Sequence, residues 1–277
     1  MMMESKPDSD MPDDTVVKPR KGIYVLPSLV TTASLFVGFY AIVQASNGLF
    51  TVAAAAIFVS MILDGLDGRI ARWTNTTSYF GKEYDSLVDV ISFGLTPALV
   101  MFEWTLSEYG KPGWLTAFLY VACTALRLAR FNSVEVKDKG YFQGLPCPAA
   151  AALVAGWIWV IEAYQMRGPV TDVISIVFTV SAALAMVSNV PYKSFKDFNA
   201  KNRIPYFALV LVLIPFLLIS VDPPIVLFGM FLLYLCSGPF IWLRRRRNKR
   251  ALAIGSRVES DEQEQAGQDE QAESDKL

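Results

Sequence analysis

Four aspartates interrupt apolar sequence between Ile62 and Ile91. Asp64 and Asp67 are followed by Gly68, Ala71 and Arg72; eight residues later come Gly81, Asp85 and Asp89. Carboxylates at the rim of a membrane helix are expensive, and they are usually retained for a function. If the chain is helical here, Asp64 and Asp67 lie roughly 60° apart on one face, and Arg72 lies about 80° from Asp64, two turns on. Gly68 and Ala71 share that region and have almost no side chain. The helix then presents two carboxylates, a hollow and a cation. Asp85 and Asp89, at i and i+4, form a second pair at the start of the next apolar run, with Gly81 one turn before them. Four converging carboxylates repel one another unless cations neutralise them. Oxygen-only ligands suit Mg²⁺ or Mn²⁺. Such ions bind phosphate oxygens, and a hollow with an arginine suits a pyrophosphate carrying a flat base. The chemistry expected is phosphoryl transfer.

Composition narrows the means. The chain of 277 residues has no histidine. Cys123, Cys147 and Cys236 are scattered and suggest neither a zinc site nor a disulfide framework; they read as packing residues. Glu83 lies near the aspartates but off their spacing, and reads as solvated.

The elements that must position these groups are membrane helices. Hydrophobic residues make up 53% of the chain, and several apolar runs approach the roughly 20 residues a helix needs to cross a bilayer. The runs do not alternate, so a barrel is not expected. The pattern predicts an all-α polytopic bundle of eight spans, near 24–45, 50–72, 85–104, 113–131, 148–166, 171–189, 204–221 and 223–243. The last division is the least secure, with only Val221 to Pro224 between two runs. Twenty lysines and arginines flank one side of these spans, against Lys111 and Arg167 on the other. That asymmetry puts both termini and the aspartates in the cytoplasm and requires an even number of spans. Residues 1–20 and 251–277 form acidic tails that need no fold, around a transmembrane unit over 21–250. The basic run Arg244–Arg250 reads as a topological anchor that also attracts anionic lipid. The acidic, proline-containing start does not read as a cleaved signal peptide.

Residues 64–89 resemble, at every fixed position, the signature of the CDP-alcohol phosphatidyltransferases, Asp-x2-Asp-Gly-x2-Ala-Arg-x8-Gly-x3-Asp-x3-Asp. The resemblance implies a membrane enzyme that displaces CMP from a CDP-linked lipid with an alcohol. It implies that Asp64, Asp67 and Asp85 hold two Mn²⁺ or Mg²⁺ ions. Asp89 would border the metals and act as general base. Gly68, Ala71 and Gly81 would accommodate the cytidine, with Asp64 also bordering the nucleotide and Arg72 facing its end. Further stretches are similar to bacterial phosphatidylserine synthases of this superfamily: Ile23 to Thr31, Ala125 to Asn132, Gly144 to Ala150 and Ser188 to Lys196. They imply CDP-diacylglycerol and L-serine as substrates, a multi-pass protein of the inner cell membrane with a cytoplasmic active site, a homodimer, and no role for nucleic acid.

Serine brings a carboxylate that wants a cation. Arg127 and Arg130 end the fourth predicted span, Asn132 offers a hydrogen bond, and Lys193 and Lys196 follow the sixth. The same five residues also fit the positive-inside rule or lipid phosphate. A phosphorylated alcohol such as glycerol 3-phosphate would want the same cations. A membrane ion or solute transporter is the rival of another class, because acidic residues in membrane helices also line ion paths. Against it, all four carboxylates lie at one membrane face and no acidic relay continues across the other spans. An intact signature also disfavours a catalytically dead scaffold.

Overall fold

The computed structural model describes residues 25–74, 78–133, 141–193 and 206–244. The two tails and Lys196 lie outside the described residues. The order is α1 (Val25–Ser46), α2 (Phe50–Trp73), α3 (Tyr79–Asp89), a π-helical turn (Val90–Leu95), α4 (Thr96–Trp104), a 3-10 turn (Leu106–Tyr109), α5 (Lys111–Ser133), β1 (Tyr141–Gln143), α6 (Cys147–Ala163), α7 (Pro169–Val187), β2 (Pro191–Lys193), α8 (Tyr206–Val221) and α9 (Pro223–Arg244). The stretch from α3 through α4 is one continuous rod, Tyr79–Trp104. Each apolar run of the sequence thus coincides with a helix. Among the described residues, six helices are long and apolar enough to cross a membrane. Helix α6, with 17 residues, and α8, with 16, are apolar but shorter. The chain is an all-helical integral membrane protein.

Helices α1 and α2 form an antiparallel hairpin. Its turn is closed by Gly48, at φ 77°, whose N–H donates to the Ala45 carbonyl at 2.8 Å. Ala41 and Ala45 of α1 and Ala53 and Ala54 of α2 are all buried. Small side chains let two membrane helices approach closely, where packing rather than water expulsion holds them. Lower in the seam Ser34 and Ser60, both fully buried, bond reciprocally: each hydroxyl reaches the other's backbone carbonyl at 3.0 Å.

Helix α6 is the centre of the bundle. Ala149 through Gly156 are all buried, so it is apolar on every face. A helix surrounded by others needs no lipid-facing stripe. Gly156 admits α9: a Cβ there would come 3.2 Å from Phe228 Cα. Trp157, Phe178 and Phe228 then close over the contact from α6, α7 and α9.

The junction between α8 and α9 is a single residue, Asp222. Its Oδ1 accepts the Ile225 N–H at 3.2 Å, capping α9 just ahead of Pro223 and Pro224. The Tyr164 hydroxyl donates to its other oxygen. A capping aspartate followed by two prolines is the physical reason one long apolar run splits here.

The rod from α3 to α4 departs from the regular helix expected over 85–104. Its helix starts at Tyr79, because the Ser78 side chain caps it by accepting the Gly81 N–H at 2.9 Å. Immediately after Asp89 the chain widens into the π turn, where the Thr96 N–H reaches back five residues to the Ile91 carbonyl. The wide turn lies just before Pro97, whose ring would otherwise press on the Phe93 carbonyl. Such turns are rare and are common near functional sites.

A two-stranded ladder is the sole non-helical pairing among the described residues. It sets Tyr141 opposite Lys193 and Gln143 opposite Pro191. Gly144 follows at φ 79°, and a Cβ there would lie 2.2 Å from the Met186 carbonyl oxygen. Only glycine fits that approach. At the opposite end of the bundle, Glu162 accepts from Trp104 Nε1 at 2.6 Å and from Arg167 Nε at 2.5 Å. The Arg167 guanidinium sits 5.1 Å from the ring centroids of both Phe50 and Trp104. This clasp joins α2, α4 and α6 far from the aspartates.

Candidate active site and metal centre

Asp64 and Asp67 project from the last turns of α2, and Asp85 and Asp89 from α3. One carboxylate oxygen from each of Asp64, Asp67 and Asp85 lies within 4.8 Å of the others. Asp89 joins this group by contacting the Asp64 carboxyl. Its Oδ1 is buried and meets no hydrogen-bond partner among the described residues. Asp67 is 5% exposed, and the other three are partly buried. No lysine or arginine among the described residues forms an ion pair with any of them; the one ion pair is Arg167 with Glu162, at the far end. Such crowding of like charge calls for bound cations, and an oxygen-only donor set suits hard divalent ones. The residues present therefore fit a divalent metal centre.

The other expected residues divide. Gly68 is exposed, and a Cβ on it would meet nothing within 4 Å, so one flank of the carboxylates is open. Ala71 is partly buried and Arg72 exposed on the same helix. Gly81 lies in the first turn of α3, where a Cβ would come 3.0 Å from Ser78 Oγ. Glu83 is exposed.

Helices α5 and α6 bring further groups against the carboxylates. Arg127 points inward, and its Nη1 donates to Cys147 Sγ at 3.2 Å. Its Nε is buried and without a hydrogen-bond partner among the described residues. Cys147 lies within electrostatic reach of both Arg127 and Asp89. Tyr120, two turns before Arg127 on α5, is fully buried, and its hydroxyl has no hydrogen-bond partner among the described residues. Arg130 lies apart, exposed, with Nη2 donating to Gln143 Oε1 at 2.6 Å and to Asn189 Oδ1 at 2.7 Å. It ties α5 to the ladder segment. Asn132 donates to Ser86 Oγ at 3.0 Å, beside Asp85. Lys193 pairs with Tyr141 in the ladder.

Sequence reasoning missed the contribution of α1. Thr31 Oγ1 donates to Asp67 Oδ2 at 2.6 Å, in a buried contact. The next residue, Thr32, meets the Tyr84 hydroxyl at 2.9 Å, adjacent to Asp85. Threonines inside helices commonly bond the carbonyl four residues back, so a partner on another helix has no signature in the sequence. Cys147 is buried, as its packing reading expects, but its contact with Arg127 was equally hidden.

A carboxylate centre open on one side among apolar helices is the site expected of a membrane transferase acting on a CDP-linked lipid. The chain belongs to the CDP-alcohol phosphatidyltransferase family, whose model matches residues 24–187. Curated relatives extend the match. A CDP-diacylglycerol–serine O-phosphatidyltransferase of Helicobacter pylori (strain ATCC 700392 / 26695) is 39% identical over 227 residues, 81% of this chain and 94% of the relative. One of Mycobacterium tuberculosis (strain CDC 1551 / Oshkosh) is 32% identical over 262 residues, covering 86% and 90%. One of Methanocaldococcus jannaschii is 34% identical over 203 residues, covering 69% and 90%.

Proposed function

We propose that this protein transfers the phosphatidyl group of CDP-diacylglycerol to L-serine, giving phosphatidylserine and CMP. The observation that carries the reaction is the four-carboxylate centre built from Asp64, Asp67, Asp85 and Asp89. Serine as acceptor is supported by relatives of that name across most of the chain. Asp64, Asp67 and Asp85, bordered by Asp89, hold Mn²⁺ or Mg²⁺ ions. When bound, these ions supply positive charge to the pyrophosphate and its leaving group. Asp89 takes the proton of the serine hydroxyl, for which its unpartnered buried Oδ1 is suited. The serine oxygen attacks the phosphorus bonded to the diacylglycerol oxygen. The bond from that phosphorus to the bridging oxygen breaks, and CMP leaves. Gly68, Ala71 and Gly81 leave room for the cytidine, and Arg72 faces the nucleotide.

Arg127 receives the serine carboxylate in this reading, because its inward guanidinium bonds Cys147, which lies within electrostatic reach of Asp89, and keeps an unused buried Nε donor among the described residues. Arg130 spends its Nη2 donors on Gln143 and Asn189, so it positions the ladder segment, and Asn132 and Lys193 border the acceptor side. Arg127→Ala is expected to raise KM for serine at least ~10-fold, the loss of one charge-assisted bond, with little change in KM for CDP-diacylglycerol. Arg130→Ala is expected to change KM for serine less. A larger effect at Arg130 would reverse the assignment.

The eight helical rods span the inner cell membrane, with both termini and the carboxylates at the cytoplasmic face. Basic residues crowd that side. The test of function is CMP release by purified protein in mixed micelles containing CDP-diacylglycerol, Mn²⁺ and one alcohol at a time. Release with serine and not with glycerol 3-phosphate is expected. Release only with another alcohol would retain the carboxylate chemistry and refute the acceptor.

A further inference from the structure

We propose that Thr31 is a positioning residue of the metal centre, setting the orientation of the Asp67 carboxylate from the neighbouring helix α1. The inference rests on reading the carboxylates as a cation site. At 2.6 Å, the Thr31–Asp67 contact has the length of a hydroxyl bonded to an ionised carboxylate. Thr31 is 4% exposed and Asp67 5%, so water does not compete for the bond, and the alternative acceptor, the Pro27 carbonyl, lies farther off at 3.0 Å. The bond engages Oδ2 and thereby restricts rotation of the carboxylate. The direction in which Asp67 offers its remaining lone pairs to a cation shared with Asp64 and Asp85 follows from that restriction.

The bond is itself held in place. Three residues along α1, the reciprocal Ser34–Ser60 contact locks α1 against α2 and fixes its depth. Thr32 joins the same stretch of α1 to Tyr84 on α3. Two successive hydroxyls of α1 therefore touch the two helices that carry the aspartates. Outer partners of this kind orient metal ligands, and their loss typically weakens metal affinity about 10- to 100-fold.

The test is direct Mn²⁺ binding by the purified full-length protein in micelles, without substrate, followed by the electron paramagnetic resonance signal of free Mn²⁺. Thr31→Val keeps the shape and the β-branch but removes the hydroxyl. It is expected to weaken Mn²⁺ binding at least ~10-fold. Thr31→Ser, which keeps the hydroxyl, is expected to bind as the unaltered protein does. Ser34→Ala, which loosens the same helix pair without touching a carboxylate, is expected to lower the melting temperature and to weaken Mn²⁺ binding far less than Thr31→Val does. Equal affinity in Thr31→Val and the unaltered protein would overturn the positioning role while leaving the metal site standing. An equal loss in Ser34→Ala would also overturn it, by tracing the effect to general loosening. No Mn²⁺ binding by the unaltered protein would overturn the metal centre and this role together.

Discussion

Asp89→Asn is expected to lose nearly all turnover while still binding CDP-diacylglycerol. The amide keeps the size of the side chain and can still hydrogen-bond, but it cannot take a proton at neutral pH. No histidine exists to replace it. The nearest other carboxylates, Asp64, Asp67 and Asp85, are those proposed to hold the cations. General-base catalysis contributes roughly 10²- to 10⁴-fold, so the expected loss in kcat is at least ~100-fold. Steady-state CMP release gives kcat, and equilibrium binding of labelled CDP-diacylglycerol gives the affinity. Near-normal turnover would remove Asp89 from the role of base. Lost turnover together with lost lipid binding would instead make it chiefly a ligand of the cation site.

Chelation is the second large effect. Treatment with EDTA is expected to abolish CMP release, and added Mn²⁺ or Mg²⁺ to restore it. Hard divalent ions match the oxygen-only donor set. Removing them leaves carboxylates of like charge facing the anionic pyrophosphate, with no ion pair among the described residues to offset the repulsion. Activity that persists in chelator would rule the metal reading out. Restoration by Zn²⁺ in place of both harder ions would point to a different donor set.

The parts legible in the sequence are those that repeat at fixed intervals. Asp64 with Asp67, and Asp85 with Asp89, follow helical spacing, and the fold brings both pairs to one place. The apolar runs likewise became helices, because every backbone group in a bilayer needs an internal partner. What stayed hidden depends on contacts between distant residues. The π turn after Asp89 appears only once Pro97 is packed within a continuous rod. The split at Asp222 was legible from its two prolines, but its cap and its Tyr164 partner were not. The basic residues at the end of α5 looked equivalent in sequence. Their difference lies in neighbours from α6 and the ladder: Cys147 for Arg127, Gln143 and Asn189 for Arg130. Thr31 was hidden for the same reason, its partner being 36 residues away.

The carboxylates and the hydroxyls that touch them come from three consecutive helices, α1 to α3, whereas Arg127, Tyr120 and Cys147 approach from α5 and α6. The reacting apparatus and the surface proposed to choose the alcohol are thus encoded in separate stretches of chain. Substitutions at Arg127 and Tyr120 fall outside the helices that carry the aspartates. On this plan the choice of alcohol is written in two helices, and the aspartates with their supports in three others.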